Sequence, residues 1–170
     1  FNANAGIYNQ LPSLTILGYS TANRNTAKFT ECTQLVAGVK KDFAKTNTSV
    51  SLEGFYKNYD NAPMSINYGV ALANLGADFG VVGNESVSYE SNGLTYGSEF
   101  FLQQKLYKGM YGIFSYTWFR SFYDDSESNL IASSWDSRHV VSLTGGKKFD
   151  NGLEIGARFV FSGGLPYTPY

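Results

Sequence analysis

The sequence predicts an all-β protein: part of a transmembrane antiparallel up-and-down β-barrel, with about seven strands of a larger barrel. Three observations predict it. Apolar residues recur with period two in seven segments, several of those segments are about 9–13 residues long, and the connections between them alternate strictly between short and long. Period two is the mark of a strand with one apolar face. An ordinary globular strand has about 5–6 residues, whereas a tilted membrane-crossing strand needs about 9–11.

The segments follow in order. At the start, Ala3, Ala5 and Ile7 alternate with Asn2, Asn4 and Gly6. Leu35, Ala37 and Val39 oppose Gln34, Gly38 and Lys40. In residues 48–57, Val50, Leu52 and Tyr56 oppose Ser49, Ser51, Glu53 and Lys57. In residues 96–104, Tyr96, Phe100 and Leu102 oppose Gly97, Glu99 and Gln103. The clearest segment is 110–122, where Phe114, Tyr116, Trp118 and Phe122 oppose Ser115, Thr117 and Ser121, with Phe119 the exception. Residues 138–148 are less regular, setting Val141 and Leu143 against Ser142 and Thr144. In residues 153–161, Leu153, Ile155, Ala157, Phe159 and Phe161 oppose Glu154, Gly156 and Arg158. Helical periodicity is nearly absent.

Residues 44–47, 106–109 and 149–152 are short connections; residues 11–31, 61–92 and 124–136 are long ones. Outer-membrane barrels place short turns on the periplasmic side and long loops outside. Phe43, Tyr107 and Phe149 stand beside the short turns, and Tyr8, Tyr56, Tyr59, Phe122 and Tyr123 near the long loops. Two such groups suit aromatic girdles at the two membrane interfaces.

Composition agrees with this reading. Charged residues make up 16%, against about 25% in an ordinary soluble domain, and aromatics also reach 16%. A net charge of -1 argues against a nucleic-acid partner, which calls for a basic patch. Cys32 is the single cysteine, so neither a disulfide scaffold nor a Cys-based zinc site is available within the sequence. Apolar runs are only a few residues long, too short for a transmembrane helix. The chain opens on Phe1 and closes on Tyr170 in a loop-like run, so residues 1–170 are read as a partial barrel domain of a longer protein.

Three stretches carry a family resemblance: GLTYGSEFFLQQKLYKGMYGIFSYTWFRSFY (93–123), SSWDSRHVVSLTGGKKF (133–149) and LEIGARFVFSGGLPYTPY (153–170). GIYNQLPS and EGFYKNYDNAP add to them. Together they resemble the later barrel strands of TonB-dependent outer-membrane receptors of the Bacteroidetes type. The resemblance implies a non-enzymatic receptor and active importer in the outer membrane of a Gram-negative bacterium. It implies a plugged barrel of about 22 strands, with the plug domain and signal peptide outside this sequence. Implied partners are outer-membrane lipid, the TonB complex acting through an N-terminal region, a small-molecule or oligomeric substrate and, as a further candidate, a surface lipoprotein. The substrate classes left open are siderophore, haem, glycan, peptide and vitamin. An outer-membrane barrel of another class (a hydrolase or a passive pore) and a soluble β-domain with a long-loop binding end are the alternatives.

No cofactor, metal site or catalytic residue is expected. His139, with Ser137 and Asp136 beside it, is read as a structural histidine near the outer rim: neighbouring strand residues point to opposite faces, so Asp136 would not share a face with Ser137 and His139. Asp124, Asp125 and Glu127 lack the full calcium-loop pattern and are read as a solvated loop. Glu53, Lys57, Glu99, Glu154 and Arg158 fall on the polar face, as lumen or plug contacts. The substrate-binding candidates lie in the long stretch 61–92: Tyr68, Asn74, Phe79, Asn84 and Tyr89, whose rings and amides can stack on and hydrogen-bond a ligand.

Overall fold

The computed structural model describes residues 1–75 and 82–166. Among them the chain forms one antiparallel up-and-down sheet of eight strands. These are β1 (Asn2–Gln10), β2 (Thr30–Phe43), β3 (Thr48–Ser65), β4 (Val87–Tyr107), β5 (Met110–Asp124), β6 (Leu130–Ala132), β7 (His139–Lys148) and β8 (Glu154–Ser162). Their order is β1-β2-β3-β4-β5-β7-β8, and the short β6 pairs with the end of β5 that lies beyond β7. The sheet is open, with β1 and β8 at its edges.

The tight turns carry the backbone that short hairpins require. Lys108 (φ 49°) and Gly109 (φ 77°) are both left-handed between β4 and β5, the pairing whose twist matches flanking strands. Gly152 (φ 85°) does the corresponding work between β7 and β8.

Register aligns the period-two pattern into rows across the sheet, because directly paired residues share a face. Ala5, Leu35, Tyr56, Tyr96 and Arg120 form one row. Val39, Leu52, Phe100, Tyr116, Val141 and Phe161 form another. The opposite face carries Glu53, Glu99 and Thr117 in one row, with Lys57 beside Thr95 and Arg158 beside Thr144. The expected faces are present in these rows, but not throughout: Val36, Phe55, Gly97 and Phe119 form an apolar row on the polar side, and Arg120 stands on the apolar one.

In β2 and β3 exposure runs opposite to that of a water-soluble sheet, whereas in β4 Glu99 is exposed and Phe100 half-buried. Leu35, Ala37 and Val39 are exposed while Gln34, Val36 and Gly38 are half-buried. Leu52, Gly54 and Tyr56 are exposed while Glu53, Phe55 and Lys57 are half-buried. Side chains crowd on the polar side: Glu53 passes over Gly38, where a Cβ would stand 2.6 Å from its Cγ, and accepts from Asn2 Nδ2 at 2.8 Å. No second layer of the described residues covers the apolar side, and the buried apolar clusters lie elsewhere. Ile16, Leu72, Val87 and Tyr89 form one, and Ala62, Ala71 and Tyr123 the other, both at the long-connection end.

The structure corrects several expectations. The first long connection holds two short helices, α1 (Leu14–Tyr19) and α2 (Thr21–Thr26), capped by Ser13 and Ser20. Six residues each are too few to register as helical periodicity. Residues 61–65 and 87–92, expected in a loop, extend β3 and β4. A bulge hides them: the register slips between Tyr59 and Ala62 and again before Met64, Asn61 is left-handed (φ 55°), and Pro63 falls in the slip. Leu130–Ala132, also expected in a loop, is a strand. Arg138, expected to begin a strand, is left-handed (φ 64°), and β7 starts one residue later. Of the aromatics assigned to the outer girdle, Tyr56 and Phe122 lie on the apolar face. Tyr8, Tyr59 and Tyr123 lie on the other: Tyr8 pairs with Cys32, Cys32 with Tyr59, Tyr59 with Gly93 and Gly93 with Tyr123. The bulge follows Tyr59, and Tyr59 and Tyr123 pack with Ala62 and Ala71 at the long-connection end, whereas Tyr8 is 51% exposed.

Candidate functional site

The polar-face row that ends in Tyr59, Gly93 and Tyr123 lies beyond the apolar row of Tyr56, Tyr96 and Arg120, towards the long connections. Gly93 makes the row possible, since a Cβ there would overlap the Tyr123 ring. Tyr123 fills that space and packs against Tyr59 with ring centroids 5.7 Å apart. Trp135 stands edge-on to Tyr123 at 6.4 Å and 80°. The three rings form an aromatic corner.

Three long connections complete a cavity of about 420 Å³ around that corner. The first contributes Leu11, Pro12 and Ile16, the second Leu72, Ala73 and Leu75, and the third Ser134 and Trp135. This volume is within the range of small-molecule sites. A larger hollow, floored by Ala3, Ala37, Gly54 and Ser98, lies on the apolar face and carries almost no polar surface.

Hydrogen bonds fix the walls. Asn23 is fully enclosed; its Nδ2 donates to the carbonyls of Ile16 and Glu85 at 3.1 and 2.8 Å, and its Oδ1 accepts from Val87 N at 3.3 Å. One side chain thereby ties α1 and α2 to the start of β4 and places Ile16 in the wall. Asn74 Nδ2 donates to the Tyr123 carbonyl at 3.2 Å, and Ser134 N donates to the Ala73 carbonyl at 2.9 Å. The third connection is anchored by Asp136, which accepts from Arg120 Nε and Ser121 N, both at 3.0 Å.

The expected binding residues do not converge on this cavity. Tyr68 is 70% exposed, and Asn84 is exposed at the other end of its connection. Asn74 acts through its bond to Tyr123, behind the wall. Tyr89 is buried against Ile16 and Leu72. Phe79 lies outside the described residues. Tyr59, Tyr123 and Trp135 were not among the candidates; the signal for the first two was aromatic placement at strand ends, read as a girdle.

His139 lies on the apolar face, its Nδ1 2.9 Å from the Tyr116 hydroxyl and its ring stacked on that of Tyr116. The Asp136 carboxylate turns to Arg120 and Ser121, so Asp136, Ser137 and His139 do not assemble as a hydrolytic group. Asp125 closes its own turn by accepting from the backbone of Glu127 and Asn129 at 2.9 and 2.8 Å, while Asp124 accepts from Asn92 N at 2.7 Å. No metal-holding group of His, Cys, Asp or Glu occurs among the described residues. No described helix is long and apolar enough to cross a membrane, which bears only on helices.

The fold and site define an antiparallel up-and-down β-sheet with an aromatic-cornered cavity under its long connections. Comparison with known proteins gives no match to a family model, a curated protein or a solved structure.

Proposed function

We propose that this chain is part of the barrel of a TonB-dependent receptor in a Gram-negative outer membrane, and that it takes its substrate at the cavity under the long connections. The observation that carries the membrane reading is the inverted exposure of β2 and β3, where apolar Leu35, Val39, Leu52 and Tyr56 are exposed and Glu53 and Lys57 are half-buried. An uncovered apolar face is costly in water, at about 25 cal/mol per Å² of apolar surface, and is stable against hydrocarbon. Strand lengths of 9–21 residues in the seven long strands support the same reading. The open edges at β1 and β8 suit continuation by further strands, because unpaired backbone is not tolerated in lipid. The TonB-dependent part of the reading rests on the sequence resemblance alone.

The test separates surface binding from import in cells bearing the full-length protein. Dissipating the proton gradient is expected to abolish import and leave binding intact. Import that continues unchanged without the gradient rejects energy-dependent transport and leaves a passive pore.

A further inference from the structure

We propose that the cavity under the long connections selects an uncharged, ring-bearing small molecule and excludes anionic ones. The inference rests on reading this cavity as the binding site, and it adds the ligand class.

The first argument is charge. Among the described residues, no Lys, Arg, His, Asp or Glu lines the cavity. An anionic ligand brought there loses its hydration with no cation to replace it, a large cost for any charge taken out of water. The nearby guanidinium, Arg120, is held on Asp136 and lies over the Phe122 ring at 4.5 Å. Tyrosine hydroxyls are neutral at physiological pH and add no charge. The second argument is shape. Tyr123 and Trp135 meet nearly at right angles, and Trp135 is 49% exposed. That leaves part of the indole for a ligand ring, a contact worth several-fold in affinity. The third is the polar complement: Ser13, Thr30 and Ser134, with the carboxamide of Gln10, offer neutral donors and acceptors. Such a wall recognises hydroxyl, carbonyl or amide groups on an apolar ring framework.

The experiment uses the full-length protein in lipid nanodiscs and two probes that share a fused-ring core. N-phenyl-1-naphthylamine is neutral, and 8-anilino-1-naphthalenesulfonate carries one negative charge. Binding is read as the signal above empty nanodiscs. The variants are Leu11→Lys and Trp135→Ala, at wall positions that are 56% and 49% exposed and so outside the buried clusters. The wild type is expected to bind the neutral probe at least tenfold more tightly than the sulfonate. Trp135→Ala should weaken the neutral probe several-fold. Leu11→Lys should shift the preference towards the sulfonate by tenfold or more, which a loss of structure alone would not do. If the sulfonate binds as tightly as the neutral probe and Trp135→Ala weakens both, the cavity stands as the site and the charge selectivity is overturned. If neither probe binds, or neither variant alters binding, the cavity reading itself is overturned.

Discussion

Tyr59 and Tyr123 pack at 5.7 Å across a strand whose intervening residue, Gly93, has no side chain to separate them. The relationship joins backbone to site. Any larger residue on β4 at this level would displace Tyr123, and with it the floor of the cavity. Gly93→Val is therefore expected to destabilise the protein by roughly 1–3 kcal/mol, the usual cost of overpacking, and to weaken ligand binding. Gly156→Ala is the control, since its Cβ would meet nothing closer than 3.5 Å. Thermal unfolding of the two variants checks this: equal losses would remove the special role of Gly93.

Asp136 is fully buried and holds Arg120 and Ser121. Removing it leaves Ser121 N without its acceptor and the half-buried Arg120 without its ion pair, at a cost of roughly 1–3 kcal/mol. Asp136→Ala should free the connection between β5 and β7, and limited proteolysis should cut it within residues 124–136 well before wild type. Unchanged cleavage would mean that β6 alone holds this connection.

Asp125 gives a pH dependence. Backbone N–H bonds from Asn129 and Glu127 hold its carboxyl below the ordinary 3.8. A depressed folded-state value means the turn gains stability above about pH 3.8 and loses it as pH falls through the lower folded value. The amide signals of Glu127 and Asn129 should thus shift together below pH 3.8, and Asp125→Asn should remove that titration. Persistence of the shift in Asp125→Asn would assign it to another group.

Sidedness follows from the connections. Glu127 lies in a long one and Lys108 in the β4–β5 turn; both are exposed. Glu127→Cys should react with an impermeant thiol reagent on whole cells, and Lys108→Cys only after the outer membrane is opened. Labelling of Lys108→Cys on intact cells would invert the topology.

The sheet was legible because its signal is local. Alternation such as Phe114, Tyr116 and Trp118 against Ser115 and Thr117 survives in a single segment, and the paired rows follow from it. The ends of β3 and β4 were not legible, because the bulge at residues 59–64 breaks the alternation that would announce them. The cavity was less legible still. Its corner unites Tyr59, Tyr123 and Trp135 from two strands and a loop, and only cross-strand register and the absent side chain of Gly93 bring them together. Within residues 61–92 the rings and amides carry the visible signal, whereas Leu72, Ala73 and Leu75 line the wall and Asn74 acts from behind it on the Tyr123 carbonyl.

The assignment of faces yields the most direct physical test of the membrane reading. Tyr116 lies between Phe100 and Val141 on the apolar side, and Thr117 between Glu99 and Val140 on the polar side. The two are adjacent in sequence, at the same height in the sheet, so only the direction of the side chain differs. An arginine facing hydrocarbon near the midplane costs about 2–4 kcal/mol, whereas lumen positions tolerate charge. At Thr117 an arginine would also stand beside the Glu99 carboxylate, which has no ion-pair partner among the described residues. Tyr116→Arg should therefore cut the folded fraction sharply, and Thr117→Arg should leave it near wild type. The fraction is read from heat-modifiable gel mobility of the full-length protein in outer-membrane preparations. In a sheet that met water on both faces, the two variants would differ little. Equal folded fractions would thus favour a water-facing sheet, and a larger loss at Thr117 would reverse the faces.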